Sequence, residues 1–267
     1  MKYTHLFWDW NGTLLNDVEY CVAAVNRSLA ARSLPLLDLE RYYRLFRFPI
    51  REYYVDLGFD FSKESYEDLA LEYNMAYAQN LNEMPLRTHA KEVLAVFHGK
   101  NLPQYILSAS ERNILVDSLR INGIDKYFPT LLCTDNYLAD GKISYGKKFA
   151  ESLPKDARIL LVGDTEHDLE AANAIGADCV LVTGGHSSKQ KLATLGVPVI
   201  DDLHELYPIV FGSESSENKG KTYVFLPSAG AAERRSYDIN EAEKKDFRTK
   251  YKDFYDDLKN TNKTEDW

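Results

Sequence analysis

From Pro85 to about Val210 the chain alternates short apolar runs with amphipathic stretches of about ten residues, and few folds accept that pattern. The runs Gln104 to Ser108, Thr130 to Cys133, Arg158 to Val162, Cys179 to Val182 and Val197 to Ile200 are too short for helices and read as buried strands. The stretches between them read as helices: His89 to His98, Glu111 to Asn122, Tyr145 to Ser152, Glu166 to Ile175 and Ser187 to Leu195, with Leu203 to Val210 completing the set. Strands separated by single helices predict an α/β fold, a parallel sheet doubly wound with helices on both faces. One more strand belongs to it from the amino terminus, Leu6-Phe7-Trp8, which ends in Asp9 before an Asn11-Gly12 turn. Open sheets of this kind bind ligands at the carboxyl ends of their strands, where Asp9 falls.

Between that first strand and Pro85 the pattern is helical throughout. Asn16-Asp17 can cap a helix whose apolar side is Val18, Cys21, Val22, Val25 and Leu29, and Pro35 ends it. Pro49 and Gly58 divide the tyrosine- and arginine-rich continuation into short helices. The expected organisation is therefore a core domain of residues 1–15 and 87–211, with an all-helical insert at 16–86. Residues 212–267 start as a Gly-Ser-Glu-Ser linker and continue with nearly balanced charge, with a candidate strand at Thr222 to Leu226 and a candidate helix at Asn240 to Lys259.

Composition narrows the function. A net charge of −9 argues against a nucleic-acid or anionic-membrane partner. Cys21, Cys133 and Cys179 are dispersed, odd in number and without a C-x-x-C pair, so they read as free thiols in a reducing compartment. The first apolar run is interrupted by Asp9, unlike a signal peptide, and no run is long enough to span a bilayer. The expectation is a cytoplasmic protein.

Four places leave a polar residue at the end of a strand or in the loop beyond it: Asp9 with Asn11, Ser108, Lys142, and Asp164 with Asp168. In this order they resemble the haloacid dehalogenase superfamily of phosphatases and related hydrolases, in its phosphoglycolate-phosphatase-like branch. The strand with G-D-x-x-x-D is Ile159 to Asp168, the strand ending in serine is Tyr105 to Ser108, and the lysine fits Lys142, with Lys147 as competitor. The resemblance covers residues 1 to about 211 and implies a Rossmann-like core with the 16–86 insert as a helical cap.

It also implies a chemistry. Asp9 would attack phosphorus and form an aspartyl-phosphate. Mg²⁺ would be held by Asp9, the Asn11 carbonyl, Asp164 and Asp168. Ser108, Lys142 and the backbone at Gly12 and Ala109 would hold the phosphate oxygens. The substrate would be a small phosphorylated metabolite, such as phosphoglycolate, a sugar phosphate or a nucleotide. Arg44, Arg47 and Arg51 are candidate readers of an anionic substrate body, and His186 a candidate pocket residue behind its glycine loop.

One position departs from the pattern: the first motif is usually D-x-D-G-T and here reads Asp9-Trp10-Asn11-Gly12-Thr13. Asn11 can hold a metal through its backbone but cannot shuttle a proton, a role worth about 10²–10⁴-fold in rate. Three readings follow: substrates with good leaving groups, a proton supplied by His167, His186 or a cap tyrosine, or a weakened or silenced enzyme that acts as a binding protein. A phosphonate hydrolase would instead need a lysine to form an imine, and the insert offers only Lys63.

Overall fold

The computed structural model of the chain describes residues 1–212 except 137, 140 and 141. The Asp140-Gly141 turn and the linker, strand and helix expected beyond residue 212 lie outside the described residues. Six strands, β1 His5–Trp8, β2 Gln104–Glu111, β3 Leu131–Thr134, β4 Ile159–Gly163, β5 Asp178–Val182 and β6 Val199–Ile200, form one sheet. Its order is β3-β2-β1-β4-β5-β6 and every pairing is parallel. The chain builds outward from β1 to β3 on one side, then returns to β4 and builds out the other way. The topological switch therefore lies at β1 and β4, where an open sheet parts its loops to form a crevice.

Side-chain alternation along β1 explains why both faces are covered. Phe7 packs with Leu107, Leu161, Ala172 and Leu181 on one face. This face is closed by α7 Lys142–Ala150, α8 Glu166–Ile175 and the short α9 Lys189–Leu192. Trp8 points to the other, toward Phe97 on α5 Ala90–Gly99; α6 Arg112–Ile121 and α10 Leu206–Phe211 belong to the same set of helices. Burying a tryptophan requires a partner for its N–H. Gln104 accepts it at 3.1 Å and passes its own amide to the Leu94 carbonyl at 3.0 Å.

Four helices, α1 Val18–Ala31, α2 Leu39–Leu45, α3 Ile50–Leu57 and α4 Tyr66–Ala78, fill the interval between β1 and α5. They share a separate core of Val22, Val25, Leu29, Tyr42, Tyr53, Tyr54, Leu57 and Leu69. Arg32 ties them from the side, bridging Glu64 at 2.6 Å and Glu72 at 3.0 Å. Several boundaries differ from the sequence reading. Strand β2 runs on through Glu111, α7 starts at Lys142 rather than near Tyr145, and the helix expected over Ser187 to Leu195 is only four residues long. No helix among the described residues is long and apolar enough to cross a membrane.

Candidate active site

Parallel register brings the strand ends into one place. Trp8 pairs with Val162, and the Asp9 N–H continues that ladder to the Val162 carbonyl at 2.8 Å, so Asp9 and Asp164 leave neighbouring strands at the same level. Trp8 also pairs with Ile106, two residues before Ser108. Lys142 reaches under them from the first turn of α7. Its ammonium donates to Asp9 Oδ1 and Asp168 Oδ1, both at 2.6 Å, and is only 4% exposed. Lys147, the competitor, sits on the exposed side of the same helix.

Each carboxylate here is held differently. Asp168 spends Oδ2 on the Asp164 N–H at 3.1 Å, the Thr165 N–H at 3.0 Å and the Thr165 hydroxyl at 2.8 Å. With Oδ1 on Lys142 as well, it is committed to orienting α8 and the lysine. Asp164 accepts from Thr13 Oγ1 at 2.8 Å and from the His186 N–H at 2.5 Å. Glycine makes this fit possible. A Cβ on Gly12 or Gly185 would strike the Asp164 carboxylate, and one on Gly163 would strike Asp168; Gly12 in addition has φ +71°.

Asp9, Asp164 and Asp168 bring carboxylate oxygens within 4.8 Å of one another, a group able to hold a metal ion. Its electrostatics favour one. Burial pushes the Asp9 carboxyl well above the ordinary range, Asp168 and Asp164 push it further, and Lys142 only partly opposes them. Asp164 is likewise raised, by burial and Asp168 against the pull of His186. Burial works against Asp168 too, but Lys142 and Thr165 outweigh it and hold its carboxyl below the usual value. One lysine does not neutralise three buried carboxylates, and hard oxygen donors of this kind suit a divalent cation.

The motif's odd residue is embedded in a second network. Asn11 donates from its amide nitrogen to Asp17 at 2.6 Å and to the Tyr77 hydroxyl at 2.8 Å, while its oxygen accepts from Ser110 at 2.5 Å. Asp17 collects the Gly12 N–H at 2.8 Å and the Tyr77 hydroxyl at 2.7 Å, and His186 Nε2 lies 3.4 Å away. Asp17 is fully buried and does not cap α1, although it occupies the cap position. Sequence reading placed it as a cap and missed this role. The available signal was the doubled Asn16-Asp17, since a helix start needs only one capping side chain. The expectation that Gly12 would offer its N–H to phosphate is corrected by the same contact: Asp17 already accepts it.

His186 lines the cavity, its Nδ1 2.6 Å from the Tyr42 hydroxyl. Burial lowers its basicity, but Asp17, Asp164 and Asp9 outweigh that and its pKa is pushed up to about 9. His167, by contrast, is not among the lining residues; it stacks on Phe48, which is, and its Nδ1 lies 3.1 Å from Glu170. Arg87, which the sequence did not single out, ties the motif loop to the β5 loop by donating to the Gly12 carbonyl at 2.7 Å and to the Thr183 carbonyl.

Above this floor lies a cavity of about 140 Å³ whose wall includes Asp9, Asn11, Ser108, Ala109, Lys142 and Asp164 below. Tyr42, Phe46, Tyr53, Tyr54 and Tyr73 of the inserted helices line it above. The three expected arginine readers are not among its lining residues. Arg44 is exposed and 3.9 Å from Glu40, Arg47 pairs with Glu52 at 2.7 Å and Asp56 at 2.8 Å, and Arg51 lies over Phe61. Helical periodicity explains the correction for Arg44 and Arg51: α2 and α3 turn their tyrosines inward and leave these arginines to solvent, while Arg47 lies in the connection between the two helices. Lys63 is 80% exposed, paired with Asp60, and also absent from the lining.

Comparison with known proteins agrees with this architecture. The phosphoglycolate phosphatase of Pectobacterium atrosepticum is 23% identical, over 80% of this chain and 94% of that one. A haloacid dehalogenase-like family protein of Streptococcus pneumoniae superposes with a TM-score of 0.68 at 16% identity, covering 78% of this chain and 99% of that one. A predicted phosphoglycolate phosphatase from Haemophilus somnus gives 0.63 at 22%, covering 79% and 99%. The sequence pattern of haloacid dehalogenase-like hydrolases matches residues 6–182. With two thirds of its length inside that pattern, this chain belongs to the haloacid dehalogenase-like hydrolase family.

Proposed function

We propose that the protein is a Mg²⁺-dependent phosphatase of a small phosphorylated metabolite, acting through an aspartyl-phosphate on Asp9. The observation that carries this reading is the buried Asp9–Lys142–Asp168 chain beside Asp164, lying beneath the cavity at the carboxyl edge of the sheet. A transferring phosphoryl group spreads negative charge over its oxygens, so catalysis is mostly positioning and charge compensation. Asp9 Oδ1 is fixed by Lys142, which aims the carboxylate and keeps positive charge where the phosphoryl oxygens would sit. Asp168 holds that lysine in place. Ser108, with its oxygen already accepting from the Ser110 N–H at 3.1 Å, has its own hydroxyl proton to donate to a phosphate oxygen.

Asp9, Asp164 and the Asn11 carbonyl would hold the Mg²⁺, with Asp168 supporting them. When bound, the ion supplies the charge that lets two anions approach. The helices of residues 16–86 act as a cap, and their aromatic side chains keep water from the reacting atoms.

A phosphatase assay with Mg²⁺ over a metabolite panel tests this directly. Wild type should release phosphate, and Asp9→Asn should lower the rate by roughly 10⁴-fold or more, as loss of a covalent nucleophile does. Activity that survives Asp9→Asn, or that persists undiminished in chelator, would overturn the reading.

A further inference from the structure

A buried carboxylate stands beside Asn11, supplied by the inserted helices. Asp17 directly precedes α1 and is 0% exposed. Its two oxygens accept the Asn11 amide, the Gly12 N–H and the Tyr77 hydroxyl, and the Cys21 thiol donates at 3.5 Å. Asp17 is not among the residues lining the cavity. A carboxylate enclosed in this way meets neither substrate nor solvent, and its burial is tolerated because donors surround it. What it does for the site lies in the groups it holds.

It holds them by two routes, and the first runs through one peptide plane. The Gly12 N–H and the Asn11 carbonyl belong to the same trans peptide, so they point in opposite directions. By accepting that N–H at 2.8 Å, Asp17 fixes the direction of the Asn11 carbonyl, one of the oxygens proposed for Mg²⁺. The Asn11 side chain adds to the grip. Its amide nitrogen has two protons, one donated to Asp17 at 2.6 Å and the other to Tyr77 at 2.8 Å. Its oxygen accepts the Ser110 hydroxyl. No amide proton is left for a substrate, and the residue is committed to this contact.

The second route runs through His186. Its backbone N–H donates to Asp164 Oδ2 at 2.5 Å, while its ring lies between two residues of the insert. Nε2 is 3.4 Å from Asp17 and Nδ1 is 2.6 Å from the Tyr42 hydroxyl. Asp17 therefore reaches both strand ends that would hold the ion, β1 through Asn11 and Gly12 and β4 through His186 and Asp164. The two routes meet at Gly12, which is pressed so close that a Cβ there would strike the Asp164 carboxylate. Asp17 and Tyr77 are carried by α1 and α4, which pack on each other, so the whole grip belongs to one helix pair.

We propose that Asp17 is a positioning residue for the metal site: through it, the docked insert sets the Asn11 carbonyl and Asp164 in the geometry that receives Mg²⁺. This rests on the phosphatase reading and names what holds its metal ligands. Groups that hold metal ligands in place change metal affinity about 10–100-fold when removed. Coupling of this kind is reciprocal, so Mg²⁺ should in turn hold the insert on the sheet's edge. The asparagine at position 11 follows from the same arrangement, because a second carboxylate there would face Asp17 where the amide now donates.

Calorimetric titration of the full-length protein with Mg²⁺ alone reads one half of this coupling. Asp17→Asn should weaken binding about 10-fold or more. Tyr77→Phe changes no charge but takes a hydrogen bond from both Asn11 and Asp17, and should weaken binding about 3-fold or more. Exchanging the pair, Asn11→Asp with Asp17→Asn, restores the same donors and acceptors and should bring affinity back to within about 3-fold of wild type. A loss confined to Asp17→Asn would be the effect of a missing charge and would overturn the inference. So would two single variants that both match wild type, or an exchanged pair that binds no tighter than Asp17→Asn. Amide hydrogen exchange reads the other half. Mg²⁺ should slow exchange along α1 and α4 of the wild type, and do so less in Asp17→Asn at saturating Mg²⁺. Equal protection with and without Mg²⁺ in the wild type would overturn the inference whatever the variants do. An Asp17 that only stabilises the fold would lower the melting temperature in chelator and leave both readouts unmoved. If wild type binds no Mg²⁺ and releases no phosphate, the phosphatase reading fails and this inference with it. Mg²⁺-dependent phosphate release with affinities unmoved by the variants overturns the inference alone.

Discussion

The floor of the cavity packs Asp9, Lys142, Asp164 and Asp168 together, whereas its roof packs Tyr42, Phe46, Tyr53 and Tyr54. Apart from the half-buried Phe46, both are buried to a similar degree. In the floor, each residue is held by a partner far along the chain: Lys142 joins Asp9 across 133 residues and Asp164 meets Thr13 across 151. The roof is assembled from helices close in sequence and held mainly by ring packing, with the Tyr42 hydroxyl on His186 as a long-range exception, and such packing tolerates exchange of one ring for another of similar volume. The floor specifies atoms, and the roof specifies a shape.

The largest break in that comparison should come from Lys142→Met. It leaves Asp9 and Asp168 buried without their cation, a change that costs about 3–5 kcal/mol when one partner of a buried pair is removed. The melting temperature in chelator should fall steeply and phosphate release should vanish. Tyr53→Phe in the roof removes only an unpartnered hydroxyl and should leave the melting temperature unchanged or slightly higher. Similar losses for both variants would erase the distinction.

The pH dependence of stability should come mainly from the floor. In the folded protein His186 is pushed up to about 9, against about 6.5 for a free histidine. A folded-state pKa above the unfolded one means that the native state binds the extra proton between those values. The contribution is therefore complete below about pH 6.5 and is lost as pH rises through about 9. Melting temperature in chelator should decline across that window, and His186→Gln should flatten the decline. A parallel slope in the variant would place the titrating group elsewhere.

How far the sequence reached follows the same division. The apolar runs of β1 and β4 each end at an aspartate, and G-D-x-x-x-D marks the start of α8. The floor's strand ends, and the limits of α8 at Glu166–Ile175, were therefore legible from periodicity and motif. Lys142 stood out by spacing, but choosing it over Lys147 needed the helix's orientation, which one sequence does not give. In the roof, period alone could not say which face of α2 and α3 met the sheet. The sequence offers the arginines as substrate readers, whereas the structure lines the cavity with tyrosines and leaves the arginines outside it. Asp17, marked only by the doubled Asn16-Asp17, was masked for a different reason. Its cap position is a sufficient explanation until the hydrogen bonds from Gly12, Asn11 and Tyr77 are seen.

Asp17 also changes what Asn11→Asp should do. A carboxylate at 11 would face that of Asp17 where the amide now donates at 2.6 Å. Two carboxylates at that range, one fully buried and the other half-buried, resist ionising together, so one would hold a proton and titrate with a raised pKa. The single variant should lose about 1–3 kcal/mol and gain little activity. Asn11→Asp combined with Asp17→Asn returns one amide and one carboxylate to the pair and should recover the stability, with a coupling energy of about 0.5–3 kcal/mol in the cycle. Additive effects of the two changes would mean that the contact carries no energy.

The smallest effect separates two uses of one local device. Ser65 caps α4 by accepting the Asp68 N–H at 3.0 Å, on the exposed side of the roof. Ser65→Ala should cost about 1 kcal/mol, roughly 2–4 °C in melting temperature for a chain of this size. The effect on kcat should be negligible, because Ser65 is not among the residues lining the cavity. Asp168 serves the start of α8 in a similar way, accepting the Thr165 N–H, but its other oxygen holds Lys142. Asp168→Asn should therefore lower stability and phosphate release together. If Ser65→Ala also depressed kcat, the roof would be acting on the reacting atoms and not merely enclosing them, and the division between floor and roof would not hold.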